Sequence, residues 1–218
     1  MSLVTYPVTL STTALFLFLA LVIGYLLGRY RASSLQNRGE SLVCRKLQAN
    51  FSGPDFHLLN HITLKLKDGT TQVDHILVSR FGVFVIETKD YKGWIFASAK
   101  HATWTQVLYR VKFKFQNPIF QNLRHVRAVE ELLDFLPSDA IKSAVVFTGS
   151  AEFKTDMPSG VYTLSGLIDH LKSSTEEVMS LNRVQFCVGR IETARLAITG
   201  QTDLEHVKSL QRKHGGPR

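Results

Sequence analysis

Three side chains in this sequence have types and spacing that could do chemistry together: Asp74, then Glu87 thirteen residues later, then Lys89 at the second position after that. In the run GVFVIETK, strand alternation places Glu87 and Lys89 on one face with Val83 and Val85, while Phe84, Ile86 and Thr88 take the other. A turn centred between Arg80 and Phe81 sets Asp74 opposite Glu87 and Gln72 opposite Lys89, with the two acidic Cβ atoms about 5 Å apart. A loop one residue longer would put Asp74 opposite Thr88 instead. Opposed carboxylates repel unless something positive lies between them, and a divalent cation with oxygen ligands suits that place. Charges at the margin of an apolar core cost several kcal/mol unless paired or metal-bound. The plain alternative is a pair of partly exposed sheet acids, with Glu87 neutralised by Lys89.

These residues need a sheet to hold them. The segments HLLNHITLKL, TQVDHILVS and VFVIETK, separated by turns at 67–70 and 80–82, read as an antiparallel meander. Further strands are expected at 93–98, 105–115, 141–148 and 161–163. Asn117-Pro118 opens a helix running to Phe135, with an apolar stripe of Ile119, Phe120, Leu123, Val126, Val129, Leu132 and Leu133. Gln121, Asn122, Arg124, His125, Arg127 and Glu131 fall mostly on its polar side. A helix over 33–48, started or interrupted at Gly39, carries Glu40, and four helices are expected at 165–172, 175–181, 190–197 and 202–213. The pattern predicts an α/β domain with a mixed, centrally antiparallel sheet flanked by helices. Its expected organisation is an N-terminal anchor (1–32), a catalytic-type domain (33–150) and a C-terminal helical extension packed on the core (151–218).

The 218 residues carry 26 basic and 18 acidic side chains, a net charge of +8, all of them at or after Arg29. Residues 10–28, from Leu10 to Gly28, read LSTTALFLFLALVIGYLLG, and as a helix they cover roughly the 30 Å hydrocarbon thickness of a bilayer. Nothing basic precedes this stretch, so a retained single span fits better than a cleaved signal peptide. Arg29, Arg31, Arg38, Arg45 and Lys46 follow it, which orients the rest of the chain to the cytoplasmic side of the inner membrane. Two Cys, 14 Gly and 6 Pro exclude a disulfide scaffold, a collagen and a disordered chain. No serine-hydrolase elbow, Walker A loop or Rossmann fingerprint occurs. Residues 109–115, YRVKFKF, place Arg110, Lys112 and Lys114 on one strand face, and Arg124 and Arg127 could extend that patch toward a phosphate backbone. A solvated strand face, or attraction to anionic lipid, would use the same cations. His57, His61, His75, His101 and His125 invite a metal reading, but His57 and His61 on one strand stand about 13 Å apart. His75 reads as packing or hydrogen bonding, Trp94 and Trp104 as core or rim.

The order Arg38-Gly39-Glu40, Gln72-Val73-Asp74-His75-Ile76, GVFVIETK with Gly93 after it, and Asn117-Pro118-Ile119-Phe120-Gln121-Asn122 resembles the nuclease-related domain family, NERD, over roughly 38–147. The resemblance implies a restriction-endonuclease-like core of the PD-(D/E)xK type. By that likeness Asp74 and Glu87 hold Mg²⁺ (or Mn²⁺), helped by the Thr88 carbonyl, with Glu40 binding directly or through water. Lys89 then orients the attacking water and stabilises charge on phosphate, and Gln121 contacts the site from its helix. Val73 stands where the broader motif has Pro. Three readings follow: an anchored metal-dependent nuclease on DNA or, second, RNA; a tethered nucleic-acid-binding module without catalysis; and an anchored scaffold for a protein partner.

Overall fold

The computed structural model describes residues 10–196, with side chains at 15, 17–25 and 38–196; the helix expected at 202–213 lies outside them. The chain divides into two compact units, Met1–Arg38 and Gly39–Arg218. Helix α1 runs over Leu10–Asn50 without the break expected at Gly39. In the first unit the described leader side chains, among them Leu17, Phe18, Leu21 and Tyr25, are exposed. Among the described residues no helix is long and apolar enough to cross a membrane. Of the expected span, the side chains at 10–14, 16 and 26–27 lie outside those described.

The second unit is built on two sheets. Strands β1 (Phe56–Leu66), β2 (Gly69–Ser79) and β3 (Gly82–Lys89) form the expected antiparallel meander. Then β7 (Ile141–Phe147) and β9 (Val161–Thr163) add in parallel to give the order β1-β2-β3-β7-β9. The smaller sheet, β6-β5-β4-β8, contains β4 (Gly93–Phe96), β5 (Thr103–Leu108), β6 (Val111–Gln116) and β8 (Ala151–Phe153). The parallel pair β3/β7 therefore continues as the parallel pair β4/β8 in the next sheet. Helices α2 (Pro118–Leu132) and α4 (Leu181–Ala194) bury Val126, Val129, Val184, Cys187 and Ile191 on one face of the large sheet. The end of α1, through Val43, Leu47 and Phe51, and helix α3 (Leu164–Ser173) cover the other.

Several expectations are corrected. Residues 105–115 are not one strand but the hairpin β5–β6, turning at Tyr109-Arg110 with Tyr109 at φ +56°. Arg110 thus sits in the turn, and only Lys112 and Lys114 share a strand face. Of the helix expected at 175–181, residues 175–180 are irregular because the Val178 and Met179 N–H groups both donate to the Arg80 carbonyl, tying this stretch to the β2–β3 turn. The helix expected from Arg190 starts instead at Leu181, where the Ser180 side chain accepts from the Arg183 N–H as an N-cap.

Gly39 stays helical because close approach matters more there than propensity. A Cβ at this position would stand 2.7 Å from Asp90 Cβ and from Thr148 Oγ1, which lie just past the ends of β3 and β7. The missing side chain lets α1 press against that end of the sheet, and Glu40, the next residue, is buried there. Ala favours a helix interior by about 1 kcal/mol over Gly, whereas overpacking costs about 1–3 kcal/mol. Gly39→Ala is expected to lower the melting temperature, followed by circular dichroism; an unchanged or raised value would show that the contact yields easily.

Candidate active site

The register across the meander brings His61, Asp74 and Glu87 onto one row, and there the sheet departs from regular pairing. Pairing of β1 with β2 is regular from Phe56↔Ser79 to Leu66↔Gly69 except at His61 and Asp74, and His61 has φ +53°. On either side of this interruption Leu59 and Ile62 both pack into the α2/α4 core, as do Val73 and Ile76. Strict alternation would put the members of each pair on opposite faces, so both strands reverse their facing at this row. Between β2 and β3 the expected register holds from Ser79↔Gly82 to His75↔Ile86 and stops before Asp74. There the Thr88 N–H donates to Asp74 Oδ2 at 2.8 Å. A carboxylate has replaced a carbonyl in the ladder, which puts it beside Glu87 in the sheet interior.

Glu87, 2% exposed, is held by two cationic or donor groups. Lys89 Nζ donates to Oε1 at 2.5 Å, and His125 Nε2 lies 3.2 Å from Oε2. The Lys89 ammonium also donates to Gln121 Oε1 at 3.0 Å, and the Thr71 hydroxyl meets His125 Nδ1 at 2.6 Å. The carboxylate accepts from Nε2–H, which leaves Nδ1 to accept the Thr71 proton. Glu40 Oε2 lies 3.4 Å from His61 Nδ1. The structure therefore gathers Glu40, Asp74, Glu87, Thr88, Lys89 and Gln121 into one site. Arg110, Lys112 and Lys114 lie elsewhere, on the turn and edge strand of the small sheet. Arg124 pairs loosely with Asp68 at 4.0 Å, and Arg127 is exposed.

His61 and His125 are the site residues that sequence reasoning passed over. The polar side expected of α2 in fact turns inward at its first two turns: Asn122 and His125 are buried, while Phe120 and Leu123 are 39% and 40% exposed. The reason is that the sheet offers polar partners there. Asn122 Nδ2 donates to the Val85 and Ala144 carbonyls and to Ser143 Oγ, stitching β3 to β7. The i, i+4 spacing of Gln121 and His125 on one helix face was the available signal. His75 is fully buried, its Nδ1 2.6 Å from Asn60 Oδ1, and burial followed by the nearby His61 lowers its pKa to about 4.

Electrostatics separate the two acids. Burial, then the Glu87 and Glu40 charges, raise the Asp74 carboxyl well above its ordinary range, only partly opposed by the Thr88 N–H and Lys89. Burial also pushes Glu87 upward, but the Lys89 charge and the His125 hydrogen bond outweigh it, so Glu87 lies below its ordinary range. For Lys89 burial acts downward, and Glu87 and Asp74 overcome it to raise the ammonium. The Asp74, Glu87 and Glu40 oxygens, with the Thr88 carbonyl, are the hard donors a divalent cation takes, and the mutual repulsion raising Asp74 is what such a cation would relieve. In the described geometry Lys89 supplies the positive charge, and among the described residues no group of three or more His, Cys, Asp or Glu could hold a metal ion.

The α/β core, with a buried acid, a glutamate–lysine pair two residues apart on one strand and a helical glutamate, has the arrangement expected from the likeness to a nuclease-related domain. A sequence model of the nuclease-related domain, NERD, matches residues 35–148, and the chain belongs to that family. It is 45% identical over 97 residues to an uncharacterized protein of Bacillus anthracis, covering 44% of this chain and 45% of that one. The chain thus spans about half the length of the curated relative it matches. No solved structure matches the chain.

The raised Asp74 has a stability consequence. An acid whose folded pKa exceeds its unfolded value contributes stability that is full below about pH 3.9 and is lost as pH rises through the folded pKa. At pH 8 in EDTA, Asp74→Asn removes that loss and keeps an oxygen to accept the Thr88 N–H. Its melting temperature should exceed the parent's by about 2–4 °C for each kcal/mol relieved, with the gap closing toward pH 4. A variant less stable than the parent at pH 8 would contradict this.

Proposed function

We propose that this chain is a membrane-anchored, divalent-metal-dependent phosphodiesterase that hydrolyses nucleic acid, DNA first and RNA second. The observation that carries the reading is the meeting of buried Asp74 and Glu87 with a partly buried Lys89, beside a glutamate delivered by a separate helix. Family membership supports a nuclease-like activity. In the described geometry Asp74, Glu87 and Glu40 do not form a metal-holding group; rearranged to converge, they and the Thr88 carbonyl would hold Mg²⁺ or Mn²⁺, which when bound would supply Lewis-acid polarisation of a phosphate. The remaining work falls to the chain's own side chains. Lys89, kept charged by Glu87 and aimed by Gln121, orients the attacking water and stabilises charge developing on phosphate in a site with little competing solvent. His125, itself fixed by Thr71, holds the Glu87 carboxylate in place. Anchoring is supported by the uncharged sequence from Leu10 to Gly28 and the arginines after it. The exposure of the described apolar leader side chains fits that role, with the domain on the cytoplasmic side of the inner membrane.

One observation favours a second reading, nucleic-acid binding without hydrolysis: both Glu87 oxygens are already engaged, by Lys89 and His125. The full chain, purified in detergent and mixed with plasmid, single-stranded DNA and RNA in Mg²⁺, Mn²⁺ or EDTA, separates the two. Cleavage is expected with either metal and not in EDTA. Glu87→Ala should abolish it, and Lys89→Ala should lower kcat by about 10²–10³-fold. Absence of metal-dependent cleavage, or cleavage untouched by Glu87→Ala, would reject the hydrolytic reading.

A further inference from the structure

The small sheet has two very different faces. Its inner face carries Ile95, Trp104, Phe115 and Phe153, which pack against Phe147 in an aromatic cluster with Trp104 1% exposed. Its outer face is fixed by register: Trp94 pairs with Val107 and Phe96 with Thr105 on β5, and these in turn pair with Lys112 and Lys114 on β6. Residues paired across antiparallel strands share a face, so the two aromatic rings and the two lysines form parallel rows on either side of Val107 and Thr105. Trp94 is 48% exposed and Phe96 40%. On the other flank Glu152 pairs with Trp94, and Lys154 ion-pairs with Glu152 while holding its Nζ 4.9 Å over the Trp94 ring. Among the described residues Lys112 and Lys114 make no ion pair. Tyr109, fully exposed beside Arg110, stands at the hairpin tip next to the lysine row.

We propose that this outer face is a stacking platform for single-stranded nucleic acid, with Trp94 and Phe96 taking the bases and Lys112 and Lys114 the phosphates. The inner aromatic cluster already supplies the sheet's burial, so the outer rings are not needed for the core. Rings on alternate positions of one strand, flanked by unpaired cations, match a polymer that alternates flat bases with negative charge. Duplex bases are stacked on one another and could not use the rings, so the platform selects single strands. The proposal rests on the nucleic-acid reading above and narrows its substrate class.

The test measures fluorescence anisotropy of a labelled oligothymidylate and of a duplex of equal length with the full chain in detergent, over a salt series. The single strand should bind more tightly than the duplex. Trp94→Ala and Phe96→Ala should each weaken it by about tenfold or more, with Trp94→Phe retaining most affinity and all three keeping the parent melting temperature. Lys112→Gln and Lys114→Gln should each lower the salt slope by about 0.7. Equal affinity of the Trp94→Ala/Phe96→Ala double variant and the parent, a preference for duplex, no binding at all, or full displacement by inorganic polyphosphate without aromatic dependence would overturn the platform. Absence of metal-dependent cleavage by the parent chain, with intact Trp94-dependent binding, counts against hydrolysis alone, whereas cleavage with Trp94-independent binding counts against the platform alone.

Discussion

The structure turns on the cost of placing two carboxylates inside a sheet. A buried charge is tolerable only when paired and fully hydrogen-bonded, and removing one partner of such a pair costs about 3–5 kcal/mol. Glu87 meets the condition through Lys89 and His125, and Asp74 meets it in part through the Thr88 N–H. What is left over, beyond burial itself, is the repulsion of Asp74 by Glu87 and Glu40, which a divalent cation would relieve.

The surrounding fold is arranged to meet that cost. Regular pairing lapses at His61, Asp74 and Glu87, freeing Thr88 N–H for a side chain. The first turns of α2 face inward with Gln121, Asn122 and His125 rather than with apolar residues. The close packing of α1 at Gly39 carries Glu40 to the same end of the sheet. Hydrophobic burial is concentrated away from the site, in Val126, Val129 and Leu133 under α2 and in Leu47, Phe84 and Leu167 on the other face. Polar groups gather where the pairing is interrupted and apolar ones where the sheet is continuous.

The two sheets divide the labour. The large sheet holds the acids and the lysine, while the small one, continuous with it through the β3/β7 and β4/β8 pairs, turns an aromatic and basic face outward. The basic segment read as one strand with three cations is a hairpin, and its meaning changes with that. Arg110 leaves the row, and Trp94 and Phe96, distant in sequence, enter beside Lys112 and Lys114.

Local sequence determined the meander, its register from Ser79↔Gly82 to His75↔Ile86, the Asn117-Pro118 helix start and the choice of Asp74, Glu87 and Lys89, because strand alternation and tight turns act over a few residues. Tertiary structure alone decided that His125 and not Leu123 faces the sheet, that residues 175–180 forgo a helix to bond Arg80, and that the ladder opens at Asp74. In each case a partner far along the chain offered a hydrogen bond or a charge strong enough to outweigh the local preference, and no periodicity records where such partners meet.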